Sequence, residues 1–354
     1  MNAFLLSLIV LAATQGANAQ RKSPAAKILL LGQSIIMNDP RGIMDAPLGS
    51  LLPMMKRADI VFTNFEGAVK GEGCVCKPMR EGVYQHASPP NVLDFLGYAH
   101  VNLMSLANNH SWDLGTDGVV STWDESRKRG MVVAGTGHNL HEAMAPGIMT
   151  VNGIRIALVA MATVRISDSA MATAVMPGVN LLRIDNTVDW DRNIEAIKAA
   201  KRKADVVIVY QHFQTVATPE WQRRWAHAAM DAGGTIYVAH GEPELFGVES
   251  YKGKPILYGL GNFIFQTKTE PGHYPQKVWE AAVAELTVGK SAVSSVRLIP
   301  ILVKDAPELA TRGFPVLATD SVRDRLLDHL VELSKEAGST LQVSNGTASL
   351  IIKQ

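Results

Sequence analysis

Residues 101–110 read VNLMSLANNH, an apolar run that becomes polar at its last three positions. A short apolar run that ends this way predicts a buried strand leading into a loop at one edge of a sheet. Four further runs have the same form and begin at Lys27, Asp59, Asp205 and Thr235. Helical patterns lie between the runs, over residues 90–96, 118–130, 190–203 and 220–233. Because strands and helices alternate, the sequence predicts an α/β fold with largely buried strands.

Each of the five predicted strands ends at a residue that can bind a metal or form a strong hydrogen bond. These residues are Gln33, Glu66, Asn109 with His110, His212 and His240. Ligands bind at the carboxyl ends of strands in open α/β sheets, and oxygen and imidazole donors without a thiolate suit Mn, Zn or Fe. A single strand-end histidine is about as often structural, and paired asparagines are usually turn residues. Five such positions at one edge favour a ligand site.

The composition predicts a globular chain without a strong electrostatic preference for a partner. Of the 354 residues, 47% are hydrophobic, which is enough for a large core. The 34 basic residues balance 33 acidic residues, so the net charge is +1 and attraction to nucleic acid or anionic membranes is weak. We therefore predict a small-molecule or polymer substrate as the partner and no nucleic acid, and the oligomeric state is left open.

The first 19 residues have the pattern of a signal peptide, with a short apolar stretch and an A-x-A sequence formed by Ala17 and Ala19. The apolar stretch is too short to span a membrane, so we predict cleavage near Ala19, no stable membrane span and a periplasmic or secreted chain. An uncleaved anchor is the alternative.

Cys74 and Cys76 could form a disulfide only across a sharp turn, so their redox state is left open.

The sequence beyond residue 265 carries structural rather than chemical signals. Alternating apolar residues predict strands over 278–286 and 293–302. Ser321 is expected to cap an amphipathic helix that runs to residue 333, and residues 340–352 are expected to form a terminal hairpin or strand. No low-complexity linker separates these elements, so we predict one large domain.

Three longer blocks resemble a known family. They are ADIVFTNFE at 58–66, SLANNHSWDLG at 105–115 and KGKPILYGLGNFIF at 252–265. Together they resemble the CapA family of capsule and poly-γ-glutamate synthesis proteins, within the calcineurin-like metallophosphoesterase superfamily. The resemblance implies an α/β, four-layer α/β/β/α sandwich. It also implies a CapA-like domain over residues 25–305, with residues 306–354 forming a helix and tail packed on the same domain.

The resemblance implies a metal site with two departures from the family pattern. Glu66, Asn109, His212 and His240 match one complete set of metal ligands. A second ion would need an aspartate where this chain has Gln33 and a histidine where it has Pro243. Because a neutral amide cannot replace the charge of a carboxylate, we expect one divalent metal (Mn, Zn or Fe) rather than two.

A metal-dependent hydrolase is the predicted activity, and an amide such as a γ-glutamyl or peptide-like bond is the predicted target. His110 is expected to act as general acid, and Glu242 or Glu244 as a base or a replacement ligand. Substrate contacts are assigned to Gln33, Asn64, Asn108, Arg41 and Asn262. A single ion can polarise one carbonyl, but it is less suited to phosphoryl transfer, where two ions clamp both oxygens.

Two other functions are consistent with the same residues. The loss of two ligand positions could have converted the fold into a non-catalytic protein that binds polymer during capsule or poly-γ-glutamate assembly. Alternatively, Glu242 or Glu244 could complete a second metal site and support a phosphoesterase. Metal content distinguishes the first alternative from a hydrolase, and turnover of a phosphoester tests the second.

Overall fold

A computed structural model describes residues 24–42, 48–79, 82, 85–214, 218–308 and 310–352. The predicted signal peptide at residues 1–19 therefore lies outside the described residues. The first ten strands along the chain are β1 (Ala26–Ile35), β2 (Ile60–Phe65), β3 (Ala68–Val69), β4 (Ala87–Ser88), β5 (Leu103–Ser105), β6 (Val132–Ala134), β7 (Thr136–Gly137), β8 (Gly147–Val151), β9 (Ile154–Thr163) and β10 (Gly178–Val179). The later strands are β11 (Val206–Phe213), β12 (Ile236–Gly241), β13 (Val248–Tyr251), β14 (Lys254–Leu257), β15 (Asn262–Phe265), β16 (Glu280–Val288), β17 (Val293–Val303), β18 (Pro315–Leu317), β19 (Leu341–Ser344) and β20 (Thr347–Leu350).

The α-helices of the described chain have amphipathic or mixed sequences and lie outside the sheets. They are α1 (Leu51–Lys56), α2 (Asn91–Tyr98), α3 (Gly115–Lys128), α4 (Leu140–Met144), α5 (Thr187–Lys203), α6 (Pro219–Asp231) and α7 (Asp320–Glu336). Among the residues described, none of these helices is both long and apolar enough to cross a lipid bilayer.

Two mixed sheets form the centre of the described structure. In the first sheet the strand order is β19-β20-β17-β16-β1-β2-β5-β6, with β15 also on β1 and β18 on β17. In the second sheet the order is β13-β14-β12-β11-β9-β8. Strands β1, β2, β5 and β15 are parallel in the first sheet, and β9, β11, β12 and β14 are parallel in the second. The carboxyl ends of these strands meet at the edge that holds the candidate site.

Alternation along β1 explains why its sequence is a continuous apolar run. Ile28 and Leu30 face a core that also contains Leu158 of β9 and Ile208 of β11, so this core lies between the two sheets. Leu29 and Leu31 (the alternate positions) pack instead toward helices α1 and α2. Both faces of the strand are therefore buried, as expected for parallel strands at the centre of a sandwich.

A third core completes the layers. It packs helices α5 and α6 against the outer face of the second sheet, with Trp225 of α6 fully buried against Val209 of β11. The order helix, sheet, sheet, helix confirms the predicted four-layer α/β/β/α sandwich.

The carboxyl-terminal elements pack onto the same framework. Leu326, Leu327 and Leu330 of α7 belong to the core between the two sheets, and β19 with β20 forms the predicted terminal hairpin at the edge of the first sheet. The helix begins at Asp320 after Thr319, so the prediction that Ser321 is its N-cap is wrong by two residues. The predicted domain boundary at residue 305 stays a prediction.

Two further features were not settled by the sequence. The ten-residue strand β9 was not predicted, although it pairs with β11 along eight residues and is central to the second sheet. Cys74 and Cys76, whose state was left open, are joined by a disulfide with their Cα atoms 5.1 Å apart.

Gly32 allows β1 and β15 to approach closely beside the candidate site. A Cβ atom at this position would lie 2.4 Å from the Gly261 carbonyl oxygen, and backbone atoms of this kind cannot move aside cheaply. We therefore expect Gly32→Ala to lower the free energy of unfolding by about 1–3 kcal/mol or more, measured by urea denaturation. Gly42→Ala is the matched control, because a Cβ there meets nothing within 4 Å. Equal stability losses in the two variants would contradict this account.

Candidate functional site

Asn108 connects the two loops that follow β2 and β5. Its side-chain nitrogen donates to the Phe65 carbonyl oxygen at 2.8 Å and to Asn64 Oδ1 at 3.2 Å. Its Oδ1 accepts a hydrogen bond from the backbone N–H of His110 at 3.0 Å. These buried bonds fix one loop against the other and bring His110 Nε2 to 3.9 Å from the Glu66 carboxylate.

The orientation of the His110 ring is set by its neighbours. Nδ1 lies 2.7 Å from Oδ2 of Asp113, which is 1% exposed, and the same oxygen accepts from the His86 backbone N–H at 2.7 Å. The His86 ring stacks on the His110 ring with their centroids 3.6 Å apart. A carboxylate that accepts from Nδ1 holds the proton on that nitrogen, so Nε2 is the atom that can exchange a proton near Glu66.

His212 joins the second sheet to the first. Its Nε2 donates to Asn109 Oδ1 at 2.9 Å and lies 3.8 Å from Glu66 Oε1. Its Nδ1 is 3.1 Å from the Tyr210 hydroxyl and 3.3 Å from Asn64 Nδ2, and both groups can donate to it. The ring is fully buried, and these contacts come from both sheets.

His240 lies beside His212 on the neighbouring parallel strand, in register with it. Only 3% of His240 is exposed, and neither of its ring nitrogens has a hydrogen-bond partner among the described residues. Burial lowers the pKa of His240 to about 3. Burial, followed by the nearby His240 and His110 rings, lowers the pKa of His212 well below its usual range. Both imidazoles are therefore neutral near pH 7, which is the form that binds a metal.

Gln33 connects β1 to the end of β12. Its Oε1 accepts from the backbone N–H of Gly241 at 3.1 Å, and the side chain is 2% exposed. Asn262 lies opposite Gln33 in the β1–β15 register and donates from Nδ2 to the Val278 carbonyl oxygen at 2.9 Å. The Asn262 Oδ1 atom is buried and has no hydrogen-bond partner among the described residues. Gln33 thus uses its oxygen to tie the two sheets together.

Two predicted site residues are engaged elsewhere. Arg41 forms a two-pronged ion pair with Asp39 and is partly exposed, and Glu244 pairs with Lys277 at 2.7 Å. In the part of the chain that the structure describes, neither Arg41 nor Glu244 forms a hydrogen bond or ion pair with the buried residues of the site. Glu242, from the same loop as Glu244, lines a cavity next to the site. The predicted roles of Arg41 as a substrate ligand and of Glu244 as a catalytic residue stay predictions.

Three residues of the site were not assigned a role from the sequence. Asp113 stands three positions after His110 within the block at 105–115, and this spacing was a usable signal for a partner of the ring. Tyr210 stands two positions before His212, so the two side chains share one face of β11. His86 comes from a loop distant in sequence, and nothing in its local pattern indicates that it stacks on His110.

The distances among His212, Asn109 and Glu66 can be compared with those expected around one divalent ion. Within the described ranges, no group of three His, Cys, Asp or Glu side chains converges as a metal site, so the amide oxygen of Asn109 would have to contribute. Two ligands of one ion lie about 2.1 Å from it and roughly 3–4 Å from each other. The separations of His212 Nε2 from Asn109 Oδ1 and Glu66 Oε1, at 2.9 and 3.8 Å, are compatible with this. Neither ring nitrogen of His240 has a hydrogen-bond partner among the described residues. A metal ion would give this buried polar ring a partner that the protein itself does not supply.

The fold and site define an α/β sandwich protein with a buried imidazole, amide and carboxylate group between two sheets. A family model described as "Bacterial capsule synthesis protein PGA_cap" matches residues 27–267, which is more than half of the chain. The chain therefore belongs to this family of bacterial capsule synthesis proteins. The predicted membership of the CapA family and its association with capsule or poly-glutamate synthesis are confirmed, whereas hydrolysis and metal dependence stay predictions.

Several relatives resemble the chain over most of its length. The PGA biosynthesis protein CapA of Bacillus subtilis (strain 168) is 27% identical over 301 residues, covering 83% of this chain and 72% of the relative. A probable polyglutamine synthesis accessory protein of Mycobacterium tuberculosis (strain ATCC 25618 / H37Rv) is 28% identical over 269 residues, covering 73% and 70%. The crystal structure of a hypothetical protein from Thermus thermophilus aligns with a TM-score of 0.44 and 16% identity, covering 82% of this chain and 96% of that chain.

The Asp113 contact predicts the protonation pattern of the His110 ring. In Asp113→Asn, the amide nitrogen can donate to Nδ1, so we expect the proton to move to Nε2 in a fraction of molecules. Nitrogen-15 NMR of histidine-labelled protein reports this change of tautomer. Glu142→Gln is the control, since Glu142 pairs with the more exposed His138 at 2.9 Å. An unchanged His110 spectrum in Asp113→Asn would show that Asp113 does not set the tautomer.

The low pKa of His240 predicts a pH-dependent stability of the metal-free protein. Above about pH 6.5 the ring is neutral in both the folded and unfolded states. Below that pH the unfolded state binds a proton that the folded state, with a pKa of about 3, does not bind. We therefore expect His240 to lower the free energy of unfolding by about 1.4 kcal/mol per pH unit as the pH falls through this window.

Urea denaturation in the presence of a chelator, at about pH 7 and about pH 5, measures this effect. His240→Asn removes the titrating group, so its stability should fall less steeply than that of the wild type. Parallel pH profiles in the two proteins would contradict the assignment of a buried neutral His240.

Proposed function

We propose that this protein is a hydrolase that holds one divalent ion and cleaves an amide bond in an envelope polymer or a related compound. The observation that carries the proposal is the buried group in which Glu66 lies within 4 Å of both His110 and His212. Asn109 and His240 adjoin this group, and Asp113 orients His110. A buried cluster of ionisable side chains at strand ends is the usual form of an active site.

Glu66, Asn109, His212 and His240 would hold the ion. When bound, such an ion supplies a Lewis acid that polarises a carbonyl group and makes water more acidic. The chain itself contributes neutral imidazoles, because burial keeps the pKa values of His212 and His240 low. To bind through Nε2, the His212 ring would carry its proton on Nδ1 instead, where the Tyr210 hydroxyl oxygen can accept it. Tyr210 would support this set by contacting the remaining nitrogen of His212.

His110 would accept a proton at Nε2 from the attacking water and pass it to the amide nitrogen as that nitrogen leaves. Its Nδ1 is held by Asp113, so Nε2 is the atom presented toward Glu66 and the reacting bond. The stacked His86 ring and the Asn108 bond to the His110 backbone restrict its movement. A general acid held in this way increases the reaction rate by a factor on the order of 10²–10⁴.

The role of Gln33 supports one ion rather than two. Its carbonyl oxygen accepts from Gly241 and is committed to the link between the sheets. A neutral amide offers no negative charge to a second cation, and the Gln33 oxygen already accepts one hydrogen bond. Because a single ion is less suited to clamping both oxygens of a phosphoryl displacement, an amide is favoured over a phosphoester.

The family supports the proposed class of substrate. Relatives carry names that refer to PGA biosynthesis and to polyglutamine synthesis. We extend this to a γ-glutamyl or peptide-like amide in an envelope polymer, acted on in the periplasm or outside the cell after removal of the predicted signal peptide.

A non-catalytic assembly role is the second candidate. It is favoured by the use of Gln33 as a structural link and by the lack, within the described residues, of three His, Cys, Asp or Glu side chains that converge as a metal site. The word "accessory" in the name of the Mycobacterium tuberculosis relative agrees with such a role. Metal content and turnover distinguish the two candidates.

Elemental analysis of protein purified without a histidine tag tests metal binding. We expect about one Mn, Zn or Fe per chain, with the metal lost in Glu66→Gln and His240→Asn because each removes a proposed ligand. Asp328→Asn, on the exposed face of α7, is the control that should retain the metal. A wild type without stoichiometric metal would overturn the hydrolase proposal.

Turnover of chromogenic γ-glutamyl amides and of p-nitrophenyl phosphate separates the possible activities. The His110→Gln variant should retain the metal, but its rate of amide hydrolysis should fall by a factor of roughly 10²–10⁴. Bound metal without turnover of either substrate would favour the assembly role, whereas turnover of the phosphoester alone would indicate a phosphoesterase.

A further inference from the structure

A cavity of about 430 Å³ opens beside His240. Its walls come from the loop after β12, the start of α6 and the end of α7. His240 lines it and is only 3% exposed, and its two nitrogens have no partner among the described residues. A buried, unpartnered imidazole at the wall of a cavity of ligand size indicates a binding site continuous with the proposed active site.

The cavity wall is acidic. Three carboxylates line it, from Glu220, Glu242 and Glu336, against one cation, Arg223. The Arg223 guanidinium is already engaged, because it donates to the buried Glu249 carboxylate at 3.1 Å and to a backbone carbonyl at the end of α7 at 3.2 Å. The local field therefore favours a positively charged ligand and disfavours a carboxylate.

Aromatic side chains supply the rest of the wall. Phe213, Phe246 and Tyr258 line the cavity. The ring of Phe246 is placed where a side chain at position 259 would lie, since a Cβ on Gly259 would come within 2.5 Å of Phe246 Cδ2. Aromatic faces next to carboxylates attract cations that carry short apolar chains.

The carboxyl-terminal helix α7 completes this wall and is held tightly in place. A Cβ on Gly247 would lie 2.3 Å from the Leu333 carbonyl oxygen, so the loop after β12 and α7 are in backbone contact. Residue Glu336 of α7 lies beyond residue 267, where the match to the family model ends. Part of the cavity wall is thus built by a segment outside the matched region.

We propose that this cavity binds a primary ammonium group on a short apolar chain, as the part of the substrate next to the scissile bond. The proposal rests on the proposed function for its position in the reaction, but its chemistry follows from the wall alone. An amino-terminal or diamine-like segment fits the carboxylates and aromatic rings, whereas the carboxylate of a glutamyl residue would have to lie on the opposite side of the site.

Isothermal titration of the full chain with hexylamine, hexanoate and hexanol tests the cavity without requiring activity. Hexylamine should bind, and hexanoate should bind at least tenfold more weakly because the wall repels it. Glu336→Gln should weaken hexylamine binding about threefold or more. Asp328→Asn is the matched control, with the same loss of charge on the same helix but about 12 Å away along its axis; it should leave hexylamine binding unchanged.

Gly259→Ser tests the aromatic wall independently of charge. Its new side chain must displace the Phe246 ring, so hexylamine and hexanol binding should both weaken while the proteins remain folded by circular dichroism. The proposal is overturned if hexanoate binds as tightly as hexylamine. It is also overturned if Asp328→Asn weakens the binding of hexylamine as much as Glu336→Gln does.

The two proposals can fail separately. Binding of hexylamine by a protein that lacks hydrolase activity would leave the cavity assignment standing and contradict the proposed function. Amide hydrolysis by a protein that does not bind hexylamine would do the reverse.

Discussion

The hydrogen bond from His212 to Asn109 joins the two sheets at a buried position, where His212 is fully buried and Asn109 is 4% exposed. A buried polar contact has little solvent to replace a missing partner, so the groups around it are held mainly by other groups of the protein. Asn64 and Tyr210 contact the other nitrogen of the His212 ring. Asn108 holds the loop after β5 against Asn64 by a further hydrogen bond. The packing of the two sheets and the order of the site therefore depend on one polar network.

The bond between Gln33 and Gly241 shows how a chain can change the chemistry of this edge while keeping its geometry. A carboxylate at position 33 would carry a buried charge and would need a cation nearby, whereas the amide is satisfied by one backbone N–H. Glutamine at this position therefore supplies a neutral tie between the sheets. In contrast, His240 keeps two nitrogens without a partner among the described residues, so the opposite half of the site is still arranged for a ligand.

Much of the fold and part of the site could be predicted because doubly buried strands have continuous apolar sequences. Strand β9 has such a sequence too, but it ends at Thr163, whose hydroxyl donates to the Leu182 carbonyl oxygen, so no residue of metal-binding type marks its end in the sequence. Local spacing could have identified Asp113 beside His110. The Gln33 to Gly241 bond spans 208 residues, and only the packing of the two sheets defines it.

The proposed chemistry and the proposed selectivity depend on different segments of this chain. The residues around Glu66 and His110 lie within the region that matches the family, so relatives with the same blocks can share the polar network. The cavity beside His240 also needs Glu336 of α7, which lies beyond that region, and the contact of Leu333 with Gly247 fixes its distance from the site. Because a helix in backbone contact with a site loop cannot be exchanged without moving the loop, changes in α7 would alter which ligand is accepted before they alter the buried network.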